Sequence, residues 1–229
     1  MSGLTVISLG GSIVAPAEVD VPFLKDFRSL IDEALEQDPA RRFILVVGGG
    51  GPARIWQKAY REVCPAANDG EADWIGVMAT RLNARLVKAI MVEWCFEDIV
   101  TDPSQAGQFT GRVLVAAGWK PGFSSDYDAV ILAERFGAGM VINLSNIEQV
   151  YTDDPKKNPA AKPIDSISWD DFRAMVGDEW VPGKNVPFDP VASRRAAGLG
   201  LKVICAAGRN LPNLRLILDG KPFLGTTIE

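Results

Sequence analysis

Three glycine clusters mark the places where this sequence could hold an anion. The first, "LGGS", carries Gly10, Gly11 and Ser12; the second, "GGGGPAR", runs from Gly48 through Gly49 and Gly50 to Arg54. The third, "AAGWKPGFSSD", carries Gly118, Trp119, Lys120, Pro121, Gly122, Ser124 and Ser125. Glycine lets backbone N–H groups approach an anion closely, and a helix that begins just past the cluster adds the partial positive charge of its first turn. Singly, each cluster reads as a turn. Three of them, each after an apolar run, read as a site for more than one phosphate group, with Arg54 within reach of the same anion as the second cluster. Where the first cluster could carry a cation, two residues before Gly10, the chain has Ser8, a neutral hydroxyl.

Several chemistries are excluded by what is missing. The chain has no histidine, which removes imidazole as base, acid, phosphate donor or metal ligand. Neither G-x-x-x-x-G-K-[ST] nor a G-x-G-x-x-G after the first strand is present, so the P-loop and dinucleotide fingerprints do not apply. Cys64, Cys95 and Cys205 are too scattered for a disulfide framework or a zinc site, and no metal ligands are assigned. With 24 basic against 29 acidic residues and a net charge of -5, a general grip on nucleic acid is not expected. No apolar run nears the roughly 18 residues of a membrane span, and no signal segment opens the chain, so a cytoplasmic protein without a membrane partner is expected.

The elements that must position the clusters follow from the apolar pattern. Near-continuous apolar runs at Leu4 to Leu9, Phe43 to Val47, Arg112 to Ala117, Met140 to Leu144 and Leu201 to Ala207 predict strands buried on both faces, as in a parallel sheet. Helical periodicity predicts helices over Val21 to Gln37, Glu71 to Trp94, and Ser125 to Phe136, the last opened by Ser125 and Asp126 and closed at Gly137. Strand and helix alternate, so the expected class is α/β, a three-layer α/β/α sandwich around a mainly parallel central sheet. Stretches near 152–165 and 178–190 are expected to be surface loops over a site. In such a sheet the clusters fall at the carboxyl edge, where ligands bind.

These motifs resemble the amino acid kinase superfamily, and within it the archaeal-type uridylate kinases. "GGS", "VVGGGGPAR", "DWIGVMATRLNA", "GWKPGFSSD", "SNIEQVYTDDPKKNP", "FDP" and the closing "GTTIE" stand in that family's order and spacing. The resemblance implies an amino acid kinase-like fold in one domain over residues 1–229, with an acceptor lobe to roughly 135 and an ATP lobe beyond it. It implies transfer of the γ-phosphoryl of ATP to UMP with Mg²⁺, in a homo-oligomer such as a hexamer built from dimers. By similarity, Gly49 and Asp73 would hold UMP, with Gly118, Trp119, Pro121, Gly122, Ser124 and Ser125 closing around it. Ser8, Gly10, Gly11, Gly50 and Arg54 would face the ATP phosphates, Ser12 completes the first motif, and Ser145, Asn146, Tyr151 and Asp154 would line the adenosine site. On residue chemistry alone, Asp73 reads equally as a helix cap, Ser124 and Ser125 as caps, and Asp154 as part of an ordinary turn.

The chain departs from the family pattern at Ser8, where many members carry lysine, at Glu148 and Gln149, where aspartate and glycine are usual, and at Trp119 and Lys120. Lys120, with Arg54 and Mg²⁺, is the expected source of the missing charge, and Lys184 in "VPGKNVPFDP" is the second candidate. Besides the UMP kinase reading, two others stay open: another small phosphate or carboxylate acceptor, and a nucleotide-binding sensor or storage protein that has lost transfer. The stripe on Val21 to Gln37 fits either the core or a dimer seam.

Overall fold

A computed structural model describes residues 3–179 and 186–229. The first strand β1 (Leu4–Leu9) is followed by the short helix α1 (Gly11–Val14) and the long α2 (Val21–Gln37). Next come β2 (Arg42–Val47), α3 (Gly50–Val63), α4 (Asp69–Ile90), β3 (Val113–Ala116) and α5 (Ser125–Phe136). The second half holds β4 (Met140–Ser145), β5 (Val150–Tyr151), β6 (Pro163–Ile164), β7 (Ser166–Ile167) and α6 (Trp169–Val176). It closes with α7 (Pro190–Leu199), β8 (Lys202–Ala207), α8 (Leu211–Leu218) and β9 (Thr226–Ile228).

Seven strands form one sheet in the order β3-β2-β1-β4-β8-β9-β7, parallel throughout except where β9 runs antiparallel to β8. Alternate side chains of each central strand enter opposite cores. Ile7, Leu9, Phe43 and Leu45 pack with Phe27, Ile31 and Val87 on one face, while Val6, Ile44, Val46 and Val203 pack with Val130, Phe172 and Phe188 on the other. That double burial is why the strands read as unbroken apolar runs.

The predicted strands and helices lie within one to four residues of their observed ends. Helix α4 begins at Asp69 because the Asn68 side chain accepts from the Glu71 N–H, and it stops at Ile90, four residues short of Trp94. The cap of α5 is Ser124, whose hydroxyl accepts from the Tyr127 N–H at 3.2 Å, so Ser125 is the first helical residue and not the cap. Gly137 closes α5 at φ +66°, a left-handed conformation suited to glycine. The 152–165 stretch is not wholly loop, since β6 pairs antiparallel with β5.

The stripe on α2 is consumed inside the chain: Phe23, Leu24, Phe27, Leu30, Ile31 and Leu35 are all buried in the core. Large apolar side chains instead remain exposed on α3 and α4, with Trp56 68% and Leu82 67% accessible. Along α4 the exposed Trp74, Met78 and Leu82 recur every fourth residue, on a face separate from the buried Val77, Ala84 and Val87.

The strand ends are held by glycine. A Cβ on Gly11 would stand 2.1 Å from the Gly50 nitrogen, and one on Gly48 would stand 2.5 Å from the Gly11 nitrogen. Both clashes are with backbone, which no rotamer change relieves. Gly11→Ala is therefore expected to destabilise the fold by about 3 kcal/mol or more, a drop of about 6–12 °C in thermal midpoint for a chain of this size. Gly139→Ala, with nothing within 4 Å of its Cβ, is the control expected to stay near wild type in the same melting experiment.

Candidate functional site

A cavity of about 360 Å³ opens at the carboxyl edge, between the starts of α3 and α5 and the flank of α4. Its wall includes Gly49, Gly50 and Arg54 from the second glycine cluster, Asp73 and Thr80 from α4, and Gly118, Lys120, Pro121, Gly122, Ser124 and Ser125 from the third. Two helix N-termini thus meet in one concave space. Each offers N–H groups without intrahelical partners and a favourable partial charge for an anion. Two cations flank them, Arg54 and Lys120.

Each of these groups is placed by specific bonds. Arg54 donates through Nη2 to the Pro16 carbonyl at 3.0 Å, which ties its guanidinium beside the glycine turn. The Lys120 ammonium lies 4.0 Å from the centroid of the Trp119 ring and 5.2 Å from that of Phe123, a cation–π placement that leaves its charge accessible. Asp73 is the fifth residue of α4 and does not cap it; its Oδ2 accepts from the Gly122 N–H at 3.3 Å. The Gly118 N–H donates to Thr80 Oγ1 at 2.8 Å, and a Cβ on Gly118 would stand 2.9 Å from that same oxygen. The arrangement can hold a phosphorylated ligand: dipoles and cations for its anion, a carboxylate for its hydroxyls.

Ser8 does not reach the cavity. It is 1% exposed, and its hydroxyl donates to Asp126 Oδ1 at 3.0 Å. The second Asp126 oxygen accepts from the Asp189 N–H at 3.3 Å. Loss of solvation pushes the Asp126 carboxyl up to about 6; the Ser8 hydroxyl bond opposes that shift and the Asp189 charge adds to it. The position expected to face ATP with a cation thus holds a neutral donor bonded to a carboxylate.

Gly10, Gly11 and Ser12 are not part of the cavity lining; the Gly10 N–H donates to the Leu144 carbonyl at 2.9 Å and the Gly48 N–H donates to the Leu9 carbonyl at 3.0 Å. Trp119 is also outside the cavity lining. Ser145 ends β4 at the same sheet edge, with Asn146 exposed just beyond it and Tyr151 on β5. Asp154 shapes a turn, accepting from the Lys156 N–H at 2.9 Å with the Lys157 ammonium 3.8 Å away. None of these four lines the cavity. Lys184 lies outside the described residues. Gln149, which departs from the family's glycine, is 6% exposed and donates to Asp165 at 2.8 Å and to the Gly225 carbonyl at 3.1 Å. Among the described residues no non-glycine has a positive φ, so the turn takes glutamine without strain.

The sequence reading missed Asn83 and Thr80. Asn83, 3% exposed on α4, donates through Nδ2 to the carbonyls of Gly48 and Gly49 at 2.9 and 3.1 Å. By binding these oxygens from behind, it turns the glycine loop toward the cavity. The signal was present as a lone amide on the core-facing stripe of an amphipathic helix, where a buried polar group needs a partner.

The sequence model of the amino acid kinase family matches residues 3–207. This chain belongs to the amino acid kinase family. Among its relatives, a uridylate kinase of Methanospirillum hungatei is 33% identical over 97% of this chain and 93% of its own. One of Pyrococcus abyssi is 32% identical over 98% of both. The crystal structure of uridylate kinase from Archaeoglobus fulgidus superposes with a TM-score of 0.83 at 30% identity, covering 98% of this chain and 99% of that one. Within this amino acid kinase, the glycine carbonyls held by Asn83 are the supports of the cavity wall. Asn83→Ala is expected to lower stability by about 1–3 kcal/mol, because two buried carbonyls lose their donor. Asn83→Asp, which replaces the donor by an acceptor facing two carbonyls, is expected to destabilise further; urea denaturation of both variants checks the order.

Proposed function

We propose that this amino acid kinase transfers the γ-phosphoryl of ATP to UMP, giving UDP and ADP. The observation that carries the reading is the convergence of two helix N-termini, Arg54 and Lys120 on one cavity that also presents Asp73. The full-length likeness to uridylate kinases supports UMP as the acceptor.

An oxygen of the UMP phosphate attacks the γ-phosphorus in line, forming the new O–P bond as the bond to the β–γ bridging oxygen breaks and ADP leaves. Such transfer asks chiefly for positioning and for charge around the equatorial oxygens, with no covalent nucleophile. Gly49, Gly50, Ser124 and Ser125 hold the acceptor phosphate through N–H and hydroxyl donors. Asp73 keeps Oδ1 for a hydroxyl of UMP while Oδ2 binds Gly122. Gly10, Gly11, Ser12 and Arg54 face the transferring phosphates, and Ser145, Asn146, Tyr151 and Asp154 flank the adenosine. Mg²⁺ would come with ATP and would supply positive charge around the transferring phosphates, and no side chain of this chain is assigned to hold it. Lys120 and Arg54 supply the charge absent at Ser8, with Lys184 as the second candidate cation.

In this reading the acceptor lobe runs to roughly residue 135 and the ATP lobe follows it, within one domain. The chain works in the cytoplasm; no helix among the described residues is long and apolar enough to cross a membrane. It assembles as a homo-oligomer, a hexamer built from dimers by the family's habit. The exposed stripe Trp74, Met78 and Leu82 supports a seam on α4 in place of α2.

A coupled ADP-release assay with Mg-ATP against UMP, CMP, dUMP, AMP and GMP tests the assignment. Turnover selective for UMP is expected, with Arg54→Ala and Lys120→Ala each lowering kcat/KM by about 10²-fold. Binding of ATP and UMP by calorimetry without turnover of any acceptor would point to a kinase that has lost transfer.

A further inference from the structure

Asp128 has no part in the chemistry above, yet it is 0% exposed and lies against the acceptor loop. Its Oδ2 accepts from the Trp119 N–H at 3.2 Å, and its Oδ1 has no hydrogen-bond partner among the described residues. A buried carboxylate with one oxygen unpaired is a costly group to keep. What it offers that an apolar side chain would not is an acceptor for that one N–H.

The next peptide is held as well, where Arg81 Nη2 donates to the Trp119 carbonyl at 3.0 Å. The Asp102 carboxyl is held below the usual range by the Ser104 hydroxyl first and by Trp119 in smaller part. The indole also packs on Phe123 at 4.9 Å between centroids, and Phe123 on Tyr127 at 4.9 Å. Trp119 is thus the most heavily anchored residue of the loop, while its neighbours Gly118 and Lys120 line the cavity.

We infer that Asp128 is a positioning residue for the phosphate acceptor: together with Arg81 it clamps the two peptides that flank the Trp119 Cα and thereby fixes the loop from Gly118 to Ser124 in its gripping shape. The kinetic part of this inference rests on the UMP kinase reading; the clamp itself does not.

The clamp carries a distinctive pH signature. Burial pushes the Asp128 carboxyl up to about 7; the Trp119 N–H works against the shift, and the Asp126 and Asp102 charges add to it. Asp126 lies on the same helix and Asp102 on the segment before β3, with Asp189 of α7 behind Asp126. The cations around it include Arg81, which bonds the Trp119 carbonyl, Lys120 beside the Trp119 ring, Arg135 on α5 itself, and Arg195 of α7, which pairs with Glu134 at the far end of α5. Because the folded value is raised above the unfolded one, the stabilising contribution of the protonated group is present below about 4 and is lost as pH rises through about 7. The clamp runs the opposite way, since an ionised carboxylate accepts more strongly than a protonated one. Loop order and the contribution of this carboxyl to stability should therefore respond to pH with opposite signs.

Hydrogen–deuterium exchange of the nucleotide-free protein, read on peptides covering 118–124, tests the clamp without reference to activity. Asp128→Ala is expected to speed exchange in this segment about tenfold, and Asp128→Asn to restore slow exchange through its amide oxygen. In the kinetic arm, Asp128→Ala should raise KM for UMP about tenfold while kcat and KM for ATP stay within about twofold. Between pH 6 and 8.5 the ratio of KM for UMP in Asp128→Asn to that in wild type should rise with pH; ionisation of the UMP phosphate cancels in this ratio. If Asp128→Ala does not fold, Arg81→Met releases the carbonyl of the same residue and should give the same pattern. Unchanged loop exchange in Asp128→Ala or Arg81→Met, or no rescue by asparagine, overturns the clamp. A wild type that leaves UMP untouched while loop exchange responds as expected overturns the UMP assignment and leaves the clamp standing.

Discussion

The structure depends on one close approach, the backbone of Gly10 and Gly11 lying directly on the backbone of Gly48 to Gly50. Two parallel strands, β1 and β2, end side by side in register from Leu4 opposite Arg42 to Leu9 opposite Val47. Their chains then turn in opposite senses into α1 and α3 within a gap that admits no side chain. Gly50 takes φ +65° with its Cα against the Gly11 carbonyl, so both the conformation and the space demand glycine. From this contact follow the direction of α3, the place where its N-terminus opens, and the support that Asn83 lends from α4.

Charge is distributed around that contact in an uneven way. The cations Arg54 and Lys120 are exposed at the cavity, where an incoming anion can use them, and each is steadied by a neutral partner: a carbonyl for one, aromatic faces for the other. The carboxylates Asp126 and Asp128 are behind the wall and bonded to uncharged donors, the Ser8 hydroxyl and the Trp119 N–H. Desolvation raises both, so the folded protein keeps near its phosphate site two carboxyls that ionise less readily than solvated ones. Stability given up in this way is a familiar property of functional sites, where position matters more than local energy.

Much of the architecture was legible in the residues. Strands buried on both faces show as short apolar runs, and glycine clusters after them locate the ligand-bearing edge, because these signals depend on local sequence and on the sheet's own geometry. Asp73, Arg54 and the 118–125 loop apart from Trp119 line one cavity. Other residues required three-dimensional neighbours to be understood. Whether the α2 stripe faced a core or a partner could not be read from periodicity, since both demand the same apolar face. Gln149 looked like a misfit for a glycine turn until its partners, Asp165 and the Gly225 carbonyl, were brought beside it from distant parts of the chain.

The sequence by itself determined the class of fold, the order of its elements, the backbone approaches that only glycine permits, and the absence of imidazole chemistry, all of which are properties of residue types and their spacing. Only the tertiary structure decided what each polar side chain meets. Ser8 and Asp126 are 118 positions apart, and the Arg81 guanidinium and the Trp119 carbonyl 38 apart, yet each pair is within hydrogen-bonding distance. A hydrogen bond acts over about 3 Å and is indifferent to separation along the chain, so its partners exist only once the sheet has brought the strand ends together.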